Sequence, residues 1–258
     1  MKNHKINPLL KRPISLFAFS AIVSVATMLL YNIPFFNYVV EHTNQSTGVR
    51  VFLMASLVVI MLLVNFLMTY LIMYLMRMAG RILLMILAII NATALYFIIT
   101  YNIIIDEITI GNVFNTRYSE ASGFFSWSLW AFIIAFGVLP GVVCLLQPVV
   151  YGKAKKMGKY CGTSLAIVLA LIVANYNQLL WIGEHDTELG GLLQPWSYVV
   201  NSIRVTSIRM HKQAEEIKLP DGKITDNDKA VVVLVIGESA RRANFQLYGY
   251  KRANNPLR

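Results

Sequence analysis

Hydrophobic residues fall into five long stretches, each separated from the next by a short polar segment. A membrane-spanning helix needs about 20 mostly apolar residues, and every one of these stretches reaches that length. They are residues 14–36, 51–76, 82–105, 124–151 and 160–181. The first is too long for the apolar part of a signal peptide, and Pro140 is predicted to kink the fourth. The pattern therefore predicts an all-α polytopic membrane domain with five transmembrane helices over residues 1–182.

The pattern changes after Trp181. Residues 183–229 hold an amphipathic segment and a turn-rich stretch, which predict a bridging helix that could lie along the membrane surface, followed by a linker. Residues 230–236 (AVVVLVI) form an apolar run too short to span a membrane and typical of a strand buried in a parallel sheet. Such a strand needs neighbouring strands and covering helices, for which residues 230–258 are too few. We therefore expect a truncated α/β domain that begins at residue 230.

Composition excludes a soluble enzyme over the whole length and a disordered chain, since 57% of the residues are hydrophobic and 14% are charged. The formal net charge of +10 would suggest nucleic acid for a soluble protein, but in a membrane protein Lys and Arg mark cytoplasmic loops. They cluster at the N-terminus and in alternate connections: Lys2, Lys5, Lys11, Arg12, Arg77, Arg81, Lys153, Lys155, Lys156 and Lys159. This predicts a cytoplasmic N-terminus, residues after 181 on the outer side, and no nucleic-acid partner.

Glu238 follows the predicted strand, at the kind of strand end where ligands gather in open α/β sheets. Its carboxylate could supply a hard oxygen ligand for a divalent cation such as Zn²⁺. Two alternatives remain open from the residues alone. Glu238 could be a carboxylate at a helix N-terminus, or Ser239 could be the nucleophile of a G-x-S-x-G turn, although Arg241 replaces the last glycine of that motif.

Residues 231–256 resemble the start of the catalytic domain of bacterial lipid A phosphoethanolamine transferases, the family that includes the mobile colistin-resistance enzymes. The family pattern is a hydrophobic strand, then G-E-[ST]-x-R, then a stretch ending in x-G-Y-x-R-x-x-x-P. The matching residues are Gly237, Glu238, Ser239, Arg241, Gly249, Tyr250, Arg252 and Pro256. Five helices, a linker and this strand are similar to the family architecture along the full chain. The resemblance implies an alkaline-phosphatase-like fold, of the sulfatase superfamily, from residue 230 onward.

The resemblance also implies a zinc-dependent transferase with Glu238 as one metal ligand. In the family a downstream threonine is the nucleophile, so it is expected beyond residue 258 and the present residues alone are expected to be inactive. The implied donor is phosphatidylethanolamine and the implied acceptor is lipid A, at the periplasmic face of the bacterial inner membrane. The family's modification of lipopolysaccharide lowers negative surface charge and gives polymyxin resistance.

Asn112, Thr116 and Glu120 lie in the connection after the third apolar stretch, at a spacing that would place them on one helix face. Hydrogen-bonding groups and a carboxylate suit an ethanolamine ammonium and its phosphodiester, although a solvated polar face would have the same pattern. The family uses an Asn-x-x-x-Thr-x-x-x-Glu set here to hold the phosphoethanolamine head group. The resemblance therefore implies that these three residues bind substrate.

Other polar residues inside the apolar stretches, Asn65, Asn91 and Thr93, are predicted to make interhelical hydrogen bonds. Two other functions remain open from the sequence. One is a related transferase that acts on the lipopolysaccharide core or moves phosphoglycerol. The other is a membrane scaffold without chemistry.

Overall fold

The computed structural model describes residues 12–43, 45–116 and 121–214, together with Lys251. Residues 12–214 of this set belong to one structural unit, Met1–Glu215. Its helices in chain order are α1 (Leu16–Tyr31), α2 (Ile33–His42), α3 (Thr47–Met76), α4 (Met78–Tyr101), α5 (Glu107–Asn115), α6 (Trp127–Leu146), α7 (Ala154–Ala174), α8 (Leu179–Glu184), α9 (Asp186–Leu192) and α10 (Trp196–Ala214). The predicted linker from residue 215 and the start of the α/β domain lie outside the described residues, apart from Lys251.

The unit is a helical, multi-pass membrane domain. Within the described ranges, α3, α4, α6 and α7 are each long and apolar enough to cross a membrane. Together α1 and α2, which meet at a bend of 60°, are also long and apolar enough to form one broken span. Counting this pair as one span gives the predicted five. Two short strands, β1 (Ile14–Ser15) and β2 (Val149–Val150), pair in parallel beside the bundle.

The bend between α1 and α2 is a departure from the single helix predicted over residues 14–36. Pro34 lies in the first turn of α2, where a proline is well tolerated, but it has no N–H to continue the hydrogen bonding of α1. The side chain of Asn32, at the bend, bonds to backbone atoms elsewhere in the chain. The apolar run continues through the bend, so hydrophobicity alone does not mark it.

Other boundaries also differ from the hydrophobic pattern. The third predicted stretch reaches residue 105, but α4 ends at Tyr101 because Asn102 takes a left-handed conformation with φ of 53°. The apolar residues that follow, including Ile105, pack into a core cluster instead of extending the span. The fifth predicted stretch covers residues 160–181, whereas α7 begins earlier, at Ala154 among lysines, and ends at Ala174.

The fourth span, α6, contains the predicted irregularity at Pro140. A π-helical segment, Ile134–Val138, precedes the proline and separates two α-helical parts. Pro140 has no N–H for the carbonyl of Phe136, four residues earlier. The hydroxyl of Tyr31 donates to that carbonyl from α1. In a membrane, a freed backbone group must find a partner inside the protein, so this bond stabilises the irregular helix.

Replacing Tyr31 by phenylalanine is expected to leave the Phe136 carbonyl without this donor and to lower the free energy of unfolding by about 1 kcal/mol. Thermal unfolding of the whole protein in detergent should record a melting temperature lower by about 2–4 °C. Tyr176→Phe is the matched control, because Tyr176 is 71% exposed. Equal melting temperatures for the two variants would contradict the role of the Tyr31 hydroxyl.

The connections rich in Lys and Arg lie at one end of the bundle, which we call the basic end. The Gln147 side chain donates to the Arg12 carbonyl at 2.8 Å, and the guanidinium of Arg77 lies 5.6 Å from the ring centre of Tyr151. The opposite end carries α2, α5, α8, α9 and the start of α10. There a buried cluster that includes Phe35, Ile98 and Leu189 packs helices α2, α4 and α9 together.

Candidate functional site

Helix α5, at the opposite end of the bundle, carries the predicted substrate-binding residues. The chain leaves α4 in an extended segment, and Asp106 begins α5 by accepting the N–H of Thr109 at 2.7 Å. The Thr109 hydroxyl donates to the Ile104 carbonyl at 2.8 Å. The first bond satisfies an N–H that a helix start would otherwise leave unpaired, and the second ties the helix to the residues before it. The start of α5 is therefore fixed to the segment that precedes it.

Asn112 and Thr116 lie next to each other at the other end of α5. The Thr116 hydroxyl donates to the Asn112 carbonyl at 2.7 Å, and both residues are exposed. The backbone becomes extended at Thr116, so the single helix expected to carry all three residues ends at Asn115. Glu120 lies outside the described residues. The structure thus brings together two of the three predicted residues, and helical spacing does not place the third.

Helix α10 holds α5 at both ends. The Asn201 side chain donates to the Ile105 carbonyl at 2.7 Å, and Arg204 lies 3.4 Å from Glu107. At the far end, Arg209 donates to the Asn115 side chain at 2.9 Å and its guanidinium lies 5.5 Å from the ring centre of Phe114. A cation at a helix C-terminus is favoured by the helix dipole. The exposed Arg204–Glu107 pair contributes little to stability, about 0–1 kcal/mol.

Three asparagines hold the segment that leads into α10 and its first turn. One lies at the bend between α1 and α2, and the other two lie on α3 and α4. Asn32 pairs with the backbone of Gln194, at 2.8 Å and 3.1 Å. Asn65 accepts the indole N–H of Trp196 at 3.1 Å, and Asn91 accepts the Tyr198 hydroxyl at 2.9 Å. Asn65 and Asn91 lie near the middles of α3 and α4, so the first turn of α10 enters the bundle and does not lie along its surface.

These bonds confirm that Asn65 and Asn91 join separate segments. Thr93 differs, since its hydroxyl donates to the Ile89 carbonyl of the same helix. Sequence reasoning missed the role of Asn32, although a polar amide inside an apolar stretch is a signal of a specific partner. It could not identify that partner, because Gln194 is far away in sequence.

An apolar cavity of about 360 Å³ lies among α1, α3, α4 and α6, and the start of α10 also lines it. Its walls include Ala26, Ala88, Val143 and Trp196. Asn65 also lines it and is 4% exposed. The cavity is therefore an apolar space inside the membrane domain with a few amides in its wall.

A polar cavity of about 420 Å³ lies between the start of α5, helix α9 and the first half of α10. Its walls carry three carboxylates and one guanidinium, those of Asp106, Glu107, Asp186 and Arg204. Trp196 lines this cavity as well as the apolar one. Asn112 and Thr116 line neither, so the polar cavity is a separate feature at the other end of α5.

The predicted metal ligand, Glu238, lies outside the described residues. Within residues 12–43, 45–116 and 121–214, no three His, Cys, Asp or Glu side chains lie close enough to hold a metal ion. The membrane domain as described therefore offers no fit for the implied zinc.

Comparisons with known proteins agree with this architecture. A family model described as phosphoethanolamine transferase EptA/EptB matches residues 60–210. Phosphoethanolamine transferase EptA of Helicobacter pylori is 33% identical over 245 residues, which are 95% of this chain and 46% of that protein. Phosphatidylethanolamine transferase Mcr-2 of Escherichia coli is 25% identical over 185 residues, 67% of this chain and 34% of that protein.

One solved structure is similar in fold. It is the integral membrane protein lipooligosaccharide phosphoethanolamine transferase A (EptA) from Neisseria meningitidis, with a TM-score of 0.76 and 21% identity, covering 93% of this chain and 46% of that one. At that identity the likeness establishes the fold alone. The chain spans about half the length of the curated relatives it matches.

Proposed function

Because the chain belongs to the phosphoethanolamine transferase EptA/EptB family, we propose that the whole protein transfers phosphoethanolamine from phosphatidylethanolamine to lipid A. The observation that carries the proposal is the family match over residues 60–210, a range that contains the exposed Asn112–Thr116 pair. The reaction takes place at the periplasmic face of the bacterial inner membrane. The product carries an added ammonium group, which lowers the negative charge of the outer surface and weakens binding of polymyxin.

The membrane orientation in this proposal follows from charge. The basic end faces the cytoplasm, since Lys and Arg are retained on that side. The opposite end, with α5 and the start of α10, then faces the periplasm. In this orientation Asn112 and Thr116 lie on the periplasmic side.

In the proposed site, Asn112 and Thr116 bind the phosphoethanolamine head group of the donor. An Asn amide can donate to a phosphodiester oxygen and accept from an ammonium, and a hydroxyl can do both. The Thr116 hydroxyl donates its proton to the backbone carbonyl of Asn112. The hydroxyl oxygen of Thr116 therefore remains available to accept from the ammonium. Glu120 supplies the carboxylate for that ammonium, and a threonine beyond residue 258 is the nucleophile.

Replacing Asn112 by alanine in the whole protein is expected to lower phosphoethanolamine transfer about tenfold, the effect of losing one hydrogen bond to a charged group. Mass spectrometry of lipid A and core from cells that lack other such transferases measures the product and identifies the acceptor. Val113→Ala is the matched control, because Val113 is the next residue on α5 and is 64% exposed.

The control should retain transfer within about twofold when both variants reach the same membrane level. An Asn112→Ala, Thr116→Val double variant with undiminished transfer would rule out head-group binding by this pair. Modification found only on core sugars would instead identify a related transferase with another acceptor.

A further inference from the structure

Trp196 of α10 lines both cavities, the apolar one and the polar one. We propose that together they bind one phospholipid with an amine head group, with an acyl chain in the apolar cavity and the head group in the polar cavity. This inference rests on the proposed function, which requires a lipid donor at this end of the bundle. It identifies where the donor docks before its head group reaches Asn112.

The apolar cavity suits an acyl chain. It lies between membrane-spanning helices and is partly open to their surroundings, which in a membrane consist of acyl chains. Atoms that line an empty space lose their van der Waals partners, whereas a flexible hydrocarbon chain restores them. The volume is about 360 Å³, and small side chains such as Ala26 and Ala88 in the wall leave it open.

Asn65 provides a polar contact inside the same cavity. The indole N–H of Trp196 can only donate, so the Asn65 atom that it contacts at 3.1 Å is the carbonyl oxygen. That leaves the Asn65 amide nitrogen, which is buried and finds no hydrogen-bond partner among the described residues. An unpaired buried donor is unfavourable by about 1–3 kcal/mol. The ester carbonyl of a phospholipid is an acceptor that would satisfy it.

The polar cavity suits an amine head group by charge. Three carboxylates face one guanidinium, so the cavity has an excess of negative charge that attracts an ammonium. Arg204 provides the complementary charge for a phosphodiester. A zwitterionic head group therefore meets both of its charges, whereas an anionic head group lacks the ammonium.

The docking site lies close to the proposed transfer site. Glu107, in the wall of the polar cavity, is five residues from Asn112 on α5, about 8 Å along the helix axis. A head group could cover that distance while its acyl chain stays among α1, α3, α4 and α6. The start of α10, which is hydrogen-bonded to Asn65 and Asn91, would keep the apolar and the polar cavity in place.

The test uses the whole protein in liposomes that contain phosphatidylethanolamine with a photoreactive diazirine near the end of one acyl chain. After illumination, mass spectrometry of peptides maps the labelled residues. We expect labels on buried or half-buried cavity-lining residues such as Thr69, Leu84 and Cys144. Labels found only on outward-facing residues of the spanning helices would overturn the proposal, and this result needs no variant.

Ala26→Phe fills the cavity from α1 and should reduce cavity labelling at least about tenfold. Val25→Phe is the matched control, since Val25 is the neighbouring residue, is 42% exposed and does not line the cavity. Equal cavity labelling in the two variants would contradict binding of the chain in this space. Labelling is measured independently of phosphoethanolamine transfer. A protein that shows cavity labelling but no transfer would therefore contradict the proposed function and not the docking site.

The head group is tested by competition. Unlabelled phosphatidylglycerol should need about tenfold higher concentration than unlabelled phosphatidylethanolamine to suppress the cavity label. An Asp106→Asn, Asp186→Asn variant should remove this preference, and asparagine retains the helix cap at residue 106. Glu184→Gln, an exposed residue that lines neither cavity, should keep it. Equal competition by both lipids in the unaltered protein would contradict recognition of the amine.

Discussion

Replacement of Glu238 by alanine in the whole protein is expected to reduce phosphoethanolamine transfer at least about 100-fold and to lower the zinc content of the purified protein. We propose Glu238 as a zinc ligand because its carboxylate follows a predicted buried strand and lies within the G-E-S-A-R segment that resembles the family motif. Replacing residues that merely support a metal ligand lowers metal affinity or activity about 10–100-fold, so loss of a ligand should reach the upper value or exceed it.

Elemental analysis of the purified protein provides a readout of metal that is independent of transfer. Glu238→Gln tests the charge with little change in size, and it should lose both zinc and transfer. Glu184→Ala removes an exposed carboxylate from the membrane domain and should keep both. If Glu238→Ala retains its zinc and its activity, the carboxylate is a helix-terminal or structural group, as the residues alone would also allow.

The membrane domain was predictable from sequence because hydrophobic length has a direct physical meaning in a bilayer. Residues 51–76 differ from α3 by one helical turn at the N-terminal end, and Pro140 lies beside the irregular turn that it predicts. The bend at Asn32 was not predictable in the same way, since the residues on both sides of it are apolar. Pro34 accounts for the break in helical hydrogen bonding, but the distant partner of Asn32, Gln194, lies 162 positions later in the chain and is not visible to a local pattern.

The site was predictable in part. Spacing placed Asn112 and Thr116 together, since one helical turn separates them, but it could not foresee that the helix stops at Asn115. The stop involves Asn115 itself, whose side chain accepts from Arg209 of α10. The two cavities were beyond sequence reasoning because their walls come from helices far apart in the chain. Their common residue, Trp196, gave no sign in the sequence beyond being aromatic.

Replacing Gly137 by leucine is expected to lower the free energy of unfolding of the membrane domain by about 3 kcal/mol, more than the loss of the Tyr31 hydroxyl. A Cβ atom at residue 137 would lie 2.9 Å from the Cα atom of Ile89 and 3.3 Å from the carbonyl oxygen of Ala88, both in the backbone of α4. Backbone atoms cannot move aside as a side chain can, so α4 and α6 would have to separate. Thermal unfolding in detergent should record a melting temperature lower by about 10 °C.

Gly162→Leu is the matched control, because it makes the same change in the spanning helix α7 at a position with open space around it. Gly141→Leu should have a smaller effect than Gly137→Leu, since the atom nearest to its Cβ position, at 2.8 Å, is the flexible Cγ of Met85, and the nearest backbone atom, the Met85 Cα, is 3.2 Å away. The displacement of α4 also has a consequence at the site. Asn91 lies on α4 and holds Tyr198 at the start of α10, so Gly137→Leu should weaken lipid labelling of the apolar cavity together with stability. A Gly137→Leu protein as stable as Gly162→Leu would mean that α4 and α6 do not pack at this distance.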